Sequence, residues 1–427
     1  MNFSWKRFKE LSGPERRELL DRTPSDEEAE AAVRPILDAV AREGDGAVRA
    51  WSEKLDGVRL ESLRVPEEEI SRAADAMPKA FFDALETARR NIETFHTAVK
   101  PPSEVAAAPR DGVELRRLWR PFERVGFYVP GGGASYPSTV LMLAVPARVA
   151  GCRDVALASP PDREGRVARA TLAAARFAGV EEMYRIGGAM AVGAFAYGTP
   201  SVPAVEKVFG PGSRYVDAAK RLVADRTAVD LPAGPSEVLV LADESAEPRF
   251  CAADLLSQAE HGPDSVAVLV TTSERVARET ASEVARQLER SPRREILEAA
   301  LRRMRLLVVD SVDEAVALAN DFAPEHLVLT VEAGDEVLGK VRCAGSVLLG
   351  PYSPVAAGDY AAGINHVLPT GGAARTRSAL SVLDFGRMMQ VTRISRSGLE
   401  SLRGAIVALA ETETLAAHAE AVKERFR

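Results

Sequence analysis

From about residue 125 the chain alternates apolar runs of strand length with helix-length amphipathic stretches, and few folds accommodate that pattern. Val125-Gly126-Phe127-Tyr128-Val129 reads as a buried strand closed by Pro130-Gly131-Gly132-Gly133, with a helix from about Ser138. Strands at 155–158, 183–186 and near Val208 follow, separated by helices at 167–177, from Ala189 and through Lys220. A second block opens with a strand at 237–241 and continues with strands at 266–270, 306–309, 327–329 and 347–349. Strands regularly separated by helices imply parallel sheets covered by helices. The predicted class is α/β, with two Rossmann-like parallel-sheet domains that lack a G-x-G-x-x-G turn.

The flanks read as helical. Ser25-Asp26-Glu27-Glu28 is a capping signal ahead of Ala32, Val33, Ile36, Leu37 and Val40, and a second helical pattern follows Pro66. Beyond Gly398, residues Leu399, Leu402, Ile406, Leu409 and Leu415 form an apolar face that must dock on something. The expected organisation is a helical segment at 1–24, a first α/β domain from 25–124 and 237–380, an inserted α/β domain at 125–236, and a helical tail at 381–427.

The chain has 427 residues, too many for one ordinary core. Lys plus Arg number 55 against 62 Asp plus Glu, and the net charge of -7 argues against nucleic acid as a main partner. Cys152, Cys251 and Cys343 are scattered and odd in number, which gives neither a disulfide framework nor a thiolate metal site. No signal-peptide core opens the sequence and no stretch spans a membrane, so a reducing, cytoplasmic setting is expected.

Histidine is scarce: His96, His261, His326, His366 and His418 are the full set. Gln258 and His261 are three apart at the end of a predicted helix, so both reach one side and could hold a metal; a histidine at a helix C-terminus explains them equally simply. Glu325 and His326 precede a strand and form a natural acid/base pair, or a solvated loop pair. Asp359 and His366 sit in a glycine-rich loop suited to ligands or to turns. Glu413 and His418 are five apart on the terminal helix, a spacing that reads as surface. The turns at 130–133 and 210–212 could admit a phosphate at a helix N-terminus, or serve only as flexible turns.

Six motifs in one order then resemble those of the histidinol dehydrogenase family. They are Gly126-Phe127-Tyr128-Val129-Pro130-Gly131-Gly132, Phe209-Gly210-Pro211-Gly212, Ala233-Gly234-Pro235-Ser236-Glu237, Ser257-Gln258-Ala259-Glu260-His261-Gly262-Pro263, Ala323-Pro324-Glu325-His326-Leu327 and Gly363-Ile364-Asn365-His366-Val367-Leu368-Pro369-Thr370. The resemblance implies a zinc-dependent homodimer that oxidises L-histidinol through the aldehyde to L-histidine in two NAD-linked steps. It implies Gln258, His261, Asp359 and His418 as zinc ligands, with His418 from the partner subunit. Glu325 and His326 would be the acid/base residues. Ser236 and Glu413 would add substrate contacts, Glu413 also across the dimer, and Tyr128 would contact the cofactor. Met190 and Ser213 stand where the family usually has Gln and Asn, which bears on NAD binding. The alternatives are a relative acting on another small polar alcohol, or a binding paralogue without turnover.

Overall fold

The structure is a computed structural model that describes residues 3–22, 26–131, 135–231 and 234–427. Ser25, Gly132, Gly133 and Ala233, which figured in the motifs above, lie outside the described residues.

Three sheets organise the chain. The largest is six-stranded and parallel, in the order β1 (Trp5–Arg7), β11 (Arg305–Val308), β10 (Val266–Thr271), β9 (Glu237–Ala242), β12 (His326–Thr330) and β13 (Ser346–Leu349). The second is five-stranded and parallel, in the order β6 (Glu182–Tyr184), β5 (Asp154–Ala158), β4 (Arg124–Tyr128), β7 (Lys207–Phe209) and β8 (Ala228–Val229). The third is antiparallel: β14 (Gly386–Ile394), β3 (Val113–Pro121) and β2 (Glu104–Arg110). Every residue of β9 is buried. A strand covered on both faces needs no polar alternation, which is why Val238-Leu239-Val240-Leu241 reads as a continuous apolar run.

The two parallel sheets match the α/β expectation, and the flanks depart from it. Residues 1–24 are not purely helical: β1 pairs with β11, Trp5 opposite Leu306. The tail at 381–427 contains β14 as well as its helices, paired from Gly386 opposite Pro121 to Ile394 opposite Val113. The front helices also pack differently from the expected grouping of 25–124 with 237–380. Asp26 caps the helix Glu27–Glu43, its carboxylate accepting from the Ala29 N–H at 3.0 Å. That helix lays Ala29, Val33, Ile36, Leu37 and Val40 into a cluster with Ala156, Tyr184 and Val192. The helix Lys79–Ala98 buries Leu85, Ala88 and Ile92 against a cluster containing Phe127 and Val140. Both clusters belong to the five-stranded sheet. An all-parallel sheet must be covered on both faces, and the front helices supply part of that cover.

Each parallel sheet has a point where strand order reverses: between β4 and β7 in one, between β9 and β12 in the other. The two points face a common cleft. The five-stranded sheet presents the carboxyl ends of β4 and β7, the usual place for a ligand in an open α/β sheet. The six-stranded sheet presents the opposite ends, where β9 and β12 begin.

Candidate active site

The cleft has a volume of about 410 Å³ and runs between Thr139, Gly212 and Ser213 on one side and Ser236, Gln258, His261, Glu325, His326 and Asp359 on the other. Side chains singled out from the sequence therefore converge, among them Ser213, Ser236, Gln258, His261, Glu325, His326 and Asp359. His366 lines it as well.

Glu325 and His326 are set in place by the backbone. Ala323 ends the helix Val312–Phe322 in the left-handed region, φ 49°. A non-glycine residue there carries local strain, which the surrounding packing has to hold. The turn delivers Glu325 to the brink of β12 and makes His326 its first residue, opposite Val238 and Ser346. Neighbours inside a strand point to opposite faces, and this pair escapes that rule by sitting at the strand entry. Glu325 Oε2 accepts from the Glu237 N–H at 2.7 Å and from Gln258 Nε2 at 3.1 Å. His326 Nε2 lies 3.2 Å from Asp359 Oδ1, and Nδ1 lies 3.3 Å from the Glu237 carbonyl. Gln258 Nε2 also lies 3.3 Å from Nδ1, and the Glu325 and Asp359 carboxylates favour a positive charge on the ring. Burial opposes that charge, but the Glu325 and Asp359 carboxylates outweigh it and push the ring up to about 10. Burial likewise works against the Asp359 charge, and His326 outweighs it, holding the carboxyl below its usual range.

Gln258 and His261 come from the end of the helix Pro248–Ala259. Gln258 is 1% exposed, and with Nε2 committed to Glu325 its Oε1 is buried without a hydrogen-bond partner. Such an orphaned acceptor beside an imidazole and a carboxylate is what a bound cation would satisfy. Among the described residues no group of three or more His, Cys, Asp or Glu side chains could hold a metal ion. The donors present within one chain, Gln258 oxygen, His261 nitrogen and Asp359 oxygen, fit zinc in type and leave its usual four-coordinate set one short. Glu413 and His418 are exposed on the tail and do not line this cleft.

His366 comes from the glycine-rich loop that the sequence marks as suited to ligands. Its Nδ1 donates to the Asp359 carbonyl at 2.7 Å, and its Nε2 lies 3.1 Å from the Thr139 hydroxyl. Burial keeps the ring below its ordinary pKa, so the neutral form that joins the helices Pro137–Ala150 and Val355–Tyr360 prevails. Glu237 was passed over. It is buried at the head of β9, and burial raises its carboxyl to about 7 against the opposing pull of Arg22. A glutamate opening an apolar strand run was a usable signal.

On the other wall, Gly210 has φ 120°, and a Cβ there would overlap the Tyr128 carbonyl. Its N–H donates to Asp230 Oδ2 at 2.6 Å and its carbonyl accepts from Lys220 Nζ at 2.9 Å, while Lys220 and Asp230 form a buried ion pair. The turn 210–212 is therefore rigidly held and brings Ser213 to the cleft. Tyr128 lies outside the cleft lining, beneath the turn at 187–188. Its hydroxyl accepts from the Gly188 N–H at 3.3 Å, and burial pushes the phenol to about 12. Met190 is 1% exposed and packed in the apolar cluster of that sheet.

Two α/β units closing on a shared cleft that gathers buried carboxylate, imidazole and amide side chains define an enzyme of α/β class, and comparison with known proteins gives its family. A sequence profile described as histidinol dehydrogenase matches residues 20–426. The histidinol dehydrogenase of Methanosarcina mazei is 44% identical over 422 residues, covering 99% of this chain and 98% of that one. That of Vibrio parahaemolyticus is 48% identical over 399 residues, covering 92% and 91%. The crystal structure of histidinol dehydrogenase from Elizabethkingia anophelis superposes with a TM-score of 0.94 at 39% identity, over 97% of this chain and 96% of the other. The chain belongs to the histidinol dehydrogenase family.

Proposed function

We propose that this chain oxidises L-histidinol to L-histidine in two NAD-linked steps through L-histidinaldehyde, as a zinc-dependent homodimer acting in the cytoplasm. The observation that carries the reading is the Glu325–His326–Asp359 array around an amide oxygen, Gln258 Oε1, that has no protein partner. Gln258, His261 and Asp359 would hold the metal, with His418 of a second copy as fourth ligand. Zinc, when bound, supplies a Lewis-acid anchor for the substrate imidazole and amine, and NAD, when bound, supplies the hydride acceptor. In the first oxidation His326, neutral once Asp359 is drawn to the metal, would take the hydroxyl proton as hydride leaves the carbinol carbon. In the second, Glu325 takes a proton from the water that attacks the aldehyde, and a second hydride leaves. Ser236 lines the cleft and would orient the substrate, Glu413 would reach it from the second copy, and Tyr128 would contact the cofactor near the turn at 187–188.

The tail supports the dimer. The helix Arg396–Thr412 buries only Gly398 and Ala410 within its own chain. Leu409 is 64% exposed and Leu415 43%, an apolar face that a second copy would cover. Among the described residues no helix is long and apolar enough to cross a membrane. The test is NAD reduction by the zinc-loaded protein with L-histidinol. Two NADH per substrate consumed supports the reading. Turnover only with another alcohol, or zinc binding without turnover, overturns it.

A further inference from the structure

Arg22, which no motif marks, meets both the strand β9 beside the proton-transfer pair and the helix end that leads into that pair. Its Nη1 lies 2.7 Å from Glu237 Oε1, in an ion pair whose side chains are 9% and 3% exposed. Its Nη2 donates to the Phe322 carbonyl, and the guanidinium lies 3.3 Å from the Phe322 ring centroid. Phe322 is the last residue of its helix, and the strained Ala323 and Pro324 separate it from Glu325. Glu237 opens β9. Its N–H donates to Glu325, its carbonyl faces His326 Nδ1, and its Oε1 also accepts from the Gly371 N–H at 3.0 Å. The neighbouring Thr370 lines the cleft and accepts from the Gly234 N–H at 2.5 Å. One buried cation thus ties together the entry of β12, the entry of β9 and the loop around Gly371.

Resting on the histidinol oxidation proposed above, we infer that Arg22 and Glu237 are a positioning pair that fixes the backbone on which Glu325 and His326 are carried, with neither residue touching the substrate. A contribution to stability alone accounts poorly for the arrangement. A buried ion pair can commonly be exchanged for neutral groups without loss of stability. What a neutral pair cannot reproduce is a guanidinium that meets the Glu237 carboxylate by charge and donates to the Phe322 carbonyl at once.

Four proteins test this: the wild type, Arg22→Met, Glu237→Gln and the double variant. Arg22→Met leaves Glu237 buried without its counter-ion, so the melting temperature falls. Its kcat with L-histidinol is expected to fall about 10–100-fold, the usual loss when an outer support of a site is removed, while KM stays nearly constant. The double variant, whose buried groups are neutral, regains the melting temperature but keeps the low kcat. Amide exchange at Glu237 and His326 is faster than in the wild type in both. The double variant carries the test if Arg22→Met does not fold. Recovery of kcat together with melting temperature, an unchanged kcat in Arg22→Met, or unchanged amide exchange each overturns the positioning role. A wild type inert toward L-histidinol would refute the proposed reaction instead, and amide exchange would still decide whether the pair holds the two strand entries.

Discussion

The amide of Gln258 is held by Glu325 at one end only: Nε2 donates to Glu325 Oε2 at 3.1 Å, while Oε1 is buried and unpaired. A buried acceptor without a partner costs on the order of 1–3 kcal/mol, which a bound cation would offset. Gln258→Leu removes that acceptor along with the Nε2 contacts to Glu325 and to His326 Nδ1, while Glu325 Oε2 keeps the Glu237 N–H and His326 Nδ1 keeps the Glu237 carbonyl. The metal-free variant is therefore expected to match metal-free wild type in stability to within about 1 kcal/mol. Its zinc content after dialysis against limiting metal should fall at least about tenfold. Full zinc retention, measured by elemental analysis, would remove Gln258 from the ligand set.

In the proposed reaction Glu325 and His326 divide the two oxidations between them. His326→Ala removes the group proposed to take the hydroxyl proton, and kcat should fall by about 10²–10⁴ with zinc content unchanged. Loss of zinc in that variant would mean that the ring's main task is to hold Asp359, 3.2 Å away, in place. Glu325→Gln retains the hydrogen bond from Glu237 but cannot accept a proton from water. The second oxidation should then slow more than the first, and NADH yield should drop from two toward about one per substrate as aldehyde accumulates. Equal slowing of both steps, followed by rapid quench, would contradict the assignment.

The exposed tail predicts complementation. Suppose His418 serves the cleft of the partner subunit. Then His418→Ala and His326→Ala homodimers are both inactive, and a dimer with one chain of each has one intact cleft. Equal mixing through unfolding and refolding gives half mixed dimers, so about a quarter of wild-type activity should return. Absence of any recovery, with mixed dimers shown by mass spectrometry, would place His418 outside the site.

The parallel sheets were legible because their strands are buried on both faces and announce themselves as apolar runs, as in Val238-Leu239-Val240-Leu241. The antiparallel sheet was not. All seven residues of β2 are exposed, and β14 has no buried position, so neither carries an alternation to read. β1 is three residues long and owes its state to β11, which no local pattern can report. In the site, Gln258, His261, Glu325, His326 and Asp359 stood out because their residue types are chemically marked. Arg22 did not: its partners Glu237 and Phe322 are remote in sequence, and an arginine near a chain's start has no distinguishing spacing.

His96 makes stability depend on pH at a place remote from the cleft. It is fully buried on the helix Lys79–Ala98, where its Nδ1 accepts from the Val382 N–H at 3.2 Å and its Nε2 has no partner. Burial lowers its pKa from 6.5 to about 4. Between those two values the unfolded chain has taken up a proton that the folded protein refuses. Protons bound in the unfolded state exceed those in the native state, so stability rises with pH through the window and is lost as pH falls. The full difference is worth roughly 3 kcal/mol, of which about 2 kcal/mol is gone by about pH 5. His96→Asn offers Val382 a carbonyl acceptor without a titrating group. Urea midpoints at about pH 7 and about pH 5 should converge in the variant relative to wild type. If both proteins lose stability in parallel across that interval, the acid sensitivity comes from other groups and His96 carries none of it.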